Sequence, residues 1–541
     1  MIYLIDFIVA LSISMALTPL LIRAAPMLGM IDVPDDRKVH ERPIPRVGGI
    51  GIVIGALTPM LLWVPSEPWL NAFLFGCGVL LIFGVWDDCK ELGHYVKFLG
   101  QLLAVIPVVY YSDLYISHFP FMGLDTISPQ VGKPFTVFAI MGMINAINHS
   151  DGLDGLAGGM TMLSLVCIGY LAFLAEGSAT LAVAAATMGG IFGFLRFNNH
   201  PARVFMGDGG SQVLGYTLGV LVVVLTQNVN PALSPASPVL ILGLPIIDIL
   251  AVFWLRARGG LNWFKATKNH IHHRLLDLGF DHYEAVVIIY FIQVLFVVSA
   301  ITLKYESDWL IMLIYMAVCT LIFILLTVGE AKAWSAHGEI GYSRLDGIIN
   351  SIKNHYLFQL LPEKYIGLFI PGLFLVVAIM AKDIPIDLAV SSVVLAIIFL
   401  VFLLVSHKHN SLFIQIAIYI TAAFIVYLET RHVGIGSNYI ATIELAYFLP
   451  MVLVIGLAIR YTKSSTFKVS TMDYLVVVIA VLSGVFLRND PSLSDMGFMV
   501  IKLAIVFYGS EFIINHMRTR WNLLTSATVL SLTMVGIKGL F

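Results

Sequence analysis

Charged side chains are scarce in this sequence: Asp, Glu, Lys and Arg make up 12% of its 541 residues, against 59% hydrophobic residues. The mean hydropathy is +0.92, which excludes a soluble globular protein. Apolar runs of about 20 residues, enough to cross the hydrocarbon core of a bilayer, recur from end to end. The sequence therefore predicts an all-α polytopic membrane protein.

Cysteine is scarce too, and this absence limits the chemistry. The four cysteines are scattered singly and form no CxxC pair, so the sequence indicates neither a disulfide framework nor a thiolate metal site. The first segment, MIYLID, also lacks the Lys or Arg of a signal-peptide n-region. We therefore expect the first span to remain in the mature protein as an anchor.

The apolar runs predict about eighteen transmembrane helices, eleven in a first part and about seven in a second. The first eleven lie near 2–22, 48–65, 72–86, 97–111, 134–147, 159–175, 178–196, 211–227, 237–255, 283–303 and 308–328. The others lie near 365–381, 386–406, 412–428, 441–460, 472–487, 494–515 and 522–540. We divide the chain into a module at 1–328, a cytoplasmic interfacial amphipathic linker at 329–364, and a C-terminal extension at 365–541.

Basic residues fall unevenly between the alternate loops of this topology. In the first part, one face collects most of the Lys and Arg, whereas the other has only Lys133 and Lys304. By the positive-inside rule, the basic face is cytoplasmic and the N-terminus is periplasmic.

Five polar segments lie on the predicted cytoplasmic face, and together they are unusual for so apolar a chain. They are DVPDDRKVHERPIPRVGG (32–49), WDDCKELG (86–93), HSDGLDGLAG (149–158), FNNHPARVFMGDGGS (197–211) and NHIHHRL (269–275). Each alone would be ordinary solvated polarity, but their convergence on one face predicts an active site.

The acids in these loops would repel one another if they gathered ionised, so either some are protonated or a cation lies among them. Carboxylates without cysteine suit a hard ion such as Mg²⁺, which also binds substrate phosphates. The acids are flanked by Lys38, Arg46, His270, His272 and His273, which favours a metal with a diphosphate. The glycines of DGLDGLAGG and GDGGS would let backbone N–H groups approach an anion. Zinc at HIHH is a weaker hypothesis, since it would leave the acids unexplained.

Four motifs carry a resemblance to a known family. They are DD at 87–88, NxxNxxDGxDG at 145–155, NxxPARVFMGDGGS at 198–211 and HIHH at 270–273. In order and spacing, residues 1–330 resemble the polyprenyl-phosphate N-acetylhexosamine-1-phosphate transferases. The resemblance implies a bacterial inner-membrane enzyme that transfers a sugar 1-phosphate from a UDP-sugar to undecaprenyl phosphate and releases UMP. It further implies Mg²⁺ or Mn²⁺ as cofactor, contact with membrane lipid, no nucleic-acid partner, and compatibility with a homodimer.

The resemblance also implies roles for individual residues. Asp208 and Asp88 would bind the metal, and Asp87, Asp88 and Asp151 would be catalytic. Substrate binding would fall to Asn145, Asn148, Asp154, Asn198, Lys38, Arg46, His270, His272 and His273. Asp87 would deprotonate the lipid phosphate, or an aspartate would attack first and form a phosphoryl-enzyme; the sequence leaves both open.

The segment RKVHERPIPRVGG resembles the N-acetylglucosamine branch of the family, so we favour UDP-N-acetylglucosamine as the donor, with related N-acetylhexosamines left open. Two alternative functions remain. A phospho-N-acetylmuramoyl-pentapeptide transferase of peptidoglycan synthesis is disfavoured because Glu91 lies where that branch usually has Lys, and because the loop reads HIHH. A transporter or flippase is favoured only by the number of spans and by Lys502, Glu444 and Glu511 in the extension. The extension itself carries no motif that we can name.

Overall fold

The structure is a computed structural model. It describes residues 2–34, 42–123, 126–259, 270–336, 356–405, 411–432, 447–455, 470–486, 494–517 and 521–541. The chain forms two compact units. The first comprises Met1–Glu339 with Ser470–Leu475, and the second comprises Ile340–Val469 with Val476–Phe541.

The first unit is helical, and every span predicted in it coincides with one or more helices. These helices are α1 (Ile2–Leu28), α2 (Gly48–Trp63), α3 (Pro68–Lys90), α4 (His94–Tyr110), α5 (Pro129–Ser150), α6 (Leu156–Leu174), α7 (Ser178–Asn198), α8 (Asp208–Val224), α9 (Ser237–Leu242), α10 (Leu244–Gly259), α11 (Ile271–Asp277), α12 (His282–Thr302) and α13 (Asp308–Ala331). A π-helical turn, Leu225–Val229, extends α8, and strands β1 (Ile31–Asp32) and β2 (Ile44–Pro45) pair in antiparallel fashion.

In the second unit the helices are Tyr356–Met380, Ile386–Val405, Ser411–His432, Thr471–Phe486, Ser494–His516 and Trp521–Leu540, and 447–455 are also helical. Thr471–Phe486 begins in the first unit. Lys502 forms a buried ion pair with Glu429, with 2.7 Å between Nζ and Oε2. Glu444 lies outside the described residues.

Eleven of the described helices are long and apolar enough to cross a membrane. Shorter apolar helices, such as Gly48–Trp63 and His94–Tyr110, coincide with further predicted spans. The all-α polytopic class is therefore confirmed. The total of eighteen spans and their orientation stay predictions.

Helix α8 lies at the centre of the first unit, and every residue from Gly209 to Val224 is buried. Glycines allow α2 and α3 to approach it closely. A Cβ at Gly84 would lie 2.3 Å from the Cα of Gly209, and a Cβ at Gly49 would lie 2.3 Å from the Cα of Gly210. Real Cβ atoms do not make such contacts, so these crossings depend on glycine. They fix the position at which α8 begins, with Asp208.

The ninth predicted span is broken into α9 and α10 at Gly243, which adopts a φ of 44°. Side chains from neighbouring helices satisfy the backbone groups that the break frees. Gln293 accepts a hydrogen bond from Leu244 N at 3.0 Å, and Tyr315 donates one to Gly243 O at 3.2 Å. Ser164 donates to Ile241 O at 2.9 Å. Because apolar surroundings make unpaired backbone groups costly, this break is a stable feature of the fold.

Candidate active site

The predicted acidic residues meet where α3 ends and α8 begins. Asp88 is buried, and its two carboxylate oxygens accept hydrogen bonds from the backbone N–H groups of Asp208, at 3.0 Å, and Gly209, at 3.2 Å. A carboxylate in this position satisfies the unpaired N–H groups of a helix N-terminus. The geometry thus gives Asp88 a capping role at α8, while its predicted catalytic and metal-binding roles stay predictions.

Lys97, on the first turn of α4, lies between two of the predicted acids. Its Nζ is 2.6 Å from an oxygen of Asp87 and 2.7 Å from an oxygen of Asp208. The other oxygen of Asp87 accepts a hydrogen bond from Leu92 N at 2.6 Å. Lys97 was not predicted as a site residue, because only the packing of α4 against α3 and α8 brings it to these acids.

Asparagines at the end of α5 hold the other side of Asp208. Asn148 donates to an oxygen of Asp208 at 3.1 Å and to the hydroxyl of Ser211 at 2.8 Å. One turn earlier, Asn145 donates to Gln101 Oε1 at 3.0 Å. Asn148 thus orients the Asp208 carboxylate, whereas Asn145 contacts Gln101 and no acidic side chain in the described part of the chain.

Asp151 lies in the loop after α5. Within the described residues, its carboxylate has no hydrogen-bond partner. Burial, and the negative charges of Asp208 and Asp154, raise the pKa of Asp151 to about 7. The charged form is therefore disfavoured unless a cation lies nearby. The carboxylates of Asp87 and Asp88, by contrast, accept backbone hydrogen bonds.

The second aspartate of the same loop has different contacts. Asp154 accepts hydrogen bonds from Ala202 N, at 3.0 Å, and interacts with His200 Nδ1 at 2.7 Å. Asn198 is buried, and its amide accepts from Gly155 N and donates to Val204 O, both at 2.8 Å. These contacts hold the DGLDG loop against the NNHPAR loop. The substrate roles predicted for Asp154 and Asn198 stay predictions.

Asp248, on α10, holds the histidine loop in place. One oxygen is 2.8 Å from His270 Nδ1, and the other accepts from Ile271 N at 2.9 Å, at the start of α11. The ring of His270 stacks on that of His149, at the end of α5, with 5.5 Å between centroids. The loop is thereby joined to the end of α5, next to Asp151.

His272, also in the histidine loop, lies against Gly152 of the DGLDG loop. A Cβ on Gly152 would lie 2.2 Å from His272 Nε2, so only glycine at position 152 leaves room for the imidazole ring. This nitrogen is buried and has no hydrogen-bond partner in the described part of the chain. Burial and the nearby His273 lower the pKa of His272 to about 3. His272 therefore acts as a neutral imidazole near pH 7.

The remaining predicted site residues are Arg46, His273 and Lys38. Arg46 forms an ion pair with Asp32 beside the β1–β2 pair, and its carbonyl lies close to Gly207, just before Asp208. His273 packs on His272, with 4.2 Å between ring centroids. Lys38 lies outside the described residues.

The donors around Asp208 fit a hard cation. The potential ligand atoms are the carboxylate oxygens of Asp87 and Asp208, and the Lys97 ammonium lies between these two carboxylates, where positive charge is favoured. In the described ranges, these acids do not bring three ligand atoms within 4.8 Å of one another. Mg²⁺ is usually held by one or two carboxylates, with water and substrate phosphates completing its shell. The arrangement is compatible with that ion.

Taken together, the fold and the site define a multi-pass membrane protein with an acidic, histidine-containing site at its helix ends. A model described as glycosyl transferase family 4 matches residues 70–226, from α3 through α8. The chain is 34% identical over 307 residues to a probable undecaprenyl-phosphate N-acetylglucosaminyl 1-phosphate transferase of Bacillus subtilis (strain 168), covering 56% of this chain and 86% of that protein.

Similar proteins named undecaprenyl-phosphate alpha-N-acetylglucosaminyl 1-phosphate transferase occur in Escherichia coli O157:H7 and Yersinia pestis. They are 28% and 27% identical over 322 residues, which is 58% of this chain and 86% and 87% of those proteins. The chain belongs to this family of glycosyl-1-phosphate transferases, glycosyl transferase family 4. The resemblance found in the sequence motifs is therefore confirmed.

Proposed function

We propose that this protein transfers N-acetylglucosamine 1-phosphate from UDP-N-acetylglucosamine to undecaprenyl phosphate and releases UMP. The observation that carries the proposal is the match to relatives named for this transfer, over 86% of their length. Such a reaction would begin the synthesis of a cell-envelope polysaccharide. The enzyme would reside in the bacterial inner membrane, with its site on the cytoplasmic face.

In the proposed reaction, an oxygen of the lipid phosphate attacks the phosphorus nearest the sugar. A new P–O bond forms there, the bond from that phosphorus to the oxygen of UMP breaks, and UMP leaves with the electron pair. Both reactants are anionic, so catalysis depends mainly on positioning and charge neutralisation. Lys97 supports this proposal because it brings an ammonium between Asp87 and Asp208.

Mg²⁺, or Mn²⁺ in its place, would neutralise the diphosphate when bound. Asp208 is the first candidate to hold it. Asp151 is the second, because its carboxylate has no hydrogen-bond partner among the described residues. Asp88 is a weaker candidate than the sequence indicated, since both its oxygens bind the N-terminus of α8.

The remaining roles follow from the contacts. The Asp87 carboxylate is held by Leu92 N and Lys97, and we assign it the role of the base that removes the proton of the lipid phosphate. The transfer would be direct, without a phosphoryl-enzyme intermediate. His270 is oriented by Asp248, and the buried Nε2 of His272 has no hydrogen-bond partner among the described residues. Both histidines would donate to the diphosphate or the sugar. The lipid tail would remain in the bilayer while its phosphate reaches the helix ends.

The test is an assay of the purified full-length protein with labelled UDP-sugars and undecaprenyl phosphate. We expect lipid labelling and UMP release from UDP-N-acetylglucosamine, and loss of both after EDTA. Asp87→Asn should lower turnover by about 100-fold or more, as expected for loss of a general base.

Each other outcome would contradict part of the proposal. Labelling only from the UDP-muramoyl-pentapeptide donor would place the enzyme in the peptidoglycan branch. Absence of transfer from any UDP-sugar would favour the transporter alternative. Labelled phosphate covalently trapped on the protein during turnover would show a two-step reaction through a phosphoryl-enzyme, and would contradict the direct transfer.

A further inference from the structure

A second cluster of potential metal ligands lies beside the proposed active site. Asp154, His200 and His282 each offer a ligand atom, and the three atoms lie within 4.8 Å of one another. Within the described ranges, no other group of three His, Cys, Asp or Glu side chains is this compact. The ligands come from separate segments: the loop after α5, the loop after α7 and the first turn of α12.

The contacts within the cluster leave one nitrogen unexplained. His200 Nδ1 is 2.7 Å from an oxygen of Asp154, and the rings of His200 and His282 stack with 4.0 Å between centroids. His282 Nε2 lies 3.3 Å from the backbone oxygen of Asp154. The other nitrogen, Nδ1, is buried without a hydrogen-bond partner among the described residues. A buried polar atom of this kind usually has a partner.

The donor chemistry separates this cluster from the acids around Asp208. Two imidazoles with one carboxylate form a ligand set that suits borderline ions such as Zn²⁺, whereas Mg²⁺ prefers oxygen alone. The HIHH loop, which the sequence offered as a weaker zinc hypothesis, is arranged differently. His270 is bound to Asp248, and that loop joins no compact group of three ligands in the described part of the chain.

We propose that Asp154, His200 and His282 bind one Zn²⁺ ion, with water in the fourth position. The ion would form coordinate bonds to an oxygen of Asp154 and to one nitrogen of each histidine, and it would release any proton that those atoms carry. Bound zinc would join two loops of the first unit to the start of α12. If the proposed function holds, it would also occupy an aspartate assigned to donor binding, and so raise the KM for the UDP-sugar.

The test measures bound zinc directly, so it does not depend on transferase activity. Purified full-length protein is dialysed to equilibrium against a series of buffered Zn²⁺ concentrations that reach saturation, in excess Mg²⁺, which fills oxygen-only sites, and its bound metal is then analysed. His282→Gln removes a ligand that the proposed reaction does not use. His118→Gln is the matched control, since His118 lies between α4 and α5 and contacts Ser117 instead.

We expect about one zinc per chain in the wild type and in His118→Gln. In His282→Gln the affinity should fall more than about 100-fold, beyond the 10–100-fold typical of outer-shell changes. A wild type that retains no zinc, or a His282→Gln variant that binds it as tightly as the wild type, would overturn the proposal.

A measurement on the wild type alone covers the case in which His282→Gln fails to fold. Co²⁺ in place of zinc should give the visible absorption bands of a four-coordinate site, and these should vanish when Zn²⁺ is added. Co²⁺ spectra that show only six-coordinate ion, as in buffer, would also overturn the proposal.

Discussion

Replacing Asp88 with Asn separates a capping role from a metal-binding role. Both oxygens of Asp88 accept backbone N–H groups at the start of α8. In Asp88→Asn, one oxygen becomes an amide nitrogen that cannot accept the second hydrogen bond and would face the N–H of Asp208 or Gly209. We therefore expect the variant to be less stable than the wild type, in addition to any loss of activity.

The size of the effect follows from these two hydrogen bonds. A hydrogen bond to a charged acceptor contributes about 1.5–3 kcal/mol, and a buried N–H left without a partner costs about 1–3 kcal/mol. Asparagine also removes a buried charge and its repulsion with Asp208, which offsets part of the loss. We expect a net destabilisation of about 1–3 kcal/mol.

Asp208→Asn is the matched comparison, because Asp208 contacts mainly side chains. Its oxygens accept from Lys97 and Asn148, and an asparagine oxygen can still accept one of these hydrogen bonds. We expect Asp208→Asn to unfold near the wild-type temperature and to lose turnover by about 100-fold or more at limiting Mg²⁺.

The assay is thermal unfolding of both variants in the same detergent, together with turnover as a function of Mg²⁺ concentration. The capping role would be refuted if Asp88→Asn unfolded like the wild type while excess Mg²⁺ restored its activity. That pair of results would identify Asp88 as a direct metal ligand.

Three further predictions test other parts of the fold. Gly152→Ala should displace His272 and raise the KM for the UDP-sugar about tenfold, measured in initial-rate assays; an unchanged KM would exclude His272 from donor binding. Gln293→Leu should lower the unfolding free energy by about 1–3 kcal/mol, measured by denaturant titration, because Leu244 N is left buried and unpaired; unaltered stability would contradict the support given to the helix break. A chain ending near residue 335 should retain activity within about tenfold in native membranes; an inserted but inactive product would show that the extension completes the site.

Helix positions could be predicted from sequence because hydrophobicity is a local property of about 20 consecutive residues. The break at Gly243 was missed, although the sequence LGLP at 242–245 contains the Gly and Pro that commonly interrupt helices. A span is predicted from the average hydrophobicity of about 20 residues, and this average hides a helix break caused by one Gly and one Pro. The break matters for function, because α10 carries Asp248, which holds His270.

The acidic loops were also predictable, because each places charge at the end of an apolar run. Their partners were not. In the sequence, nothing distinguishes Lys97 from other basic residues at the start of a helix. Only the packing of α3 against α4 brings it to Asp87 and Asp208. His200, in a loop, and His282, at the start of α12, are far apart in the chain, so no local pattern indicates that their rings stack.

The glycines of GDGGS show how packing and chemistry are linked at this site. The sequence suggested that they let backbone N–H groups reach an anion. In the structure, Gly209 and Gly210 face glycines of α3 and α2, and the N–H of Gly209 donates to the Asp88 carboxylate, while an approach to a substrate anion stays a prediction. An added Cβ at Gly84 or Gly49 would push α8 away, and Asp208, its first residue, would move with it. The position of Asp208, the proposed metal ligand, is therefore set by the packing of glycines between helices, although these glycines have no side chains that could bind substrate or metal.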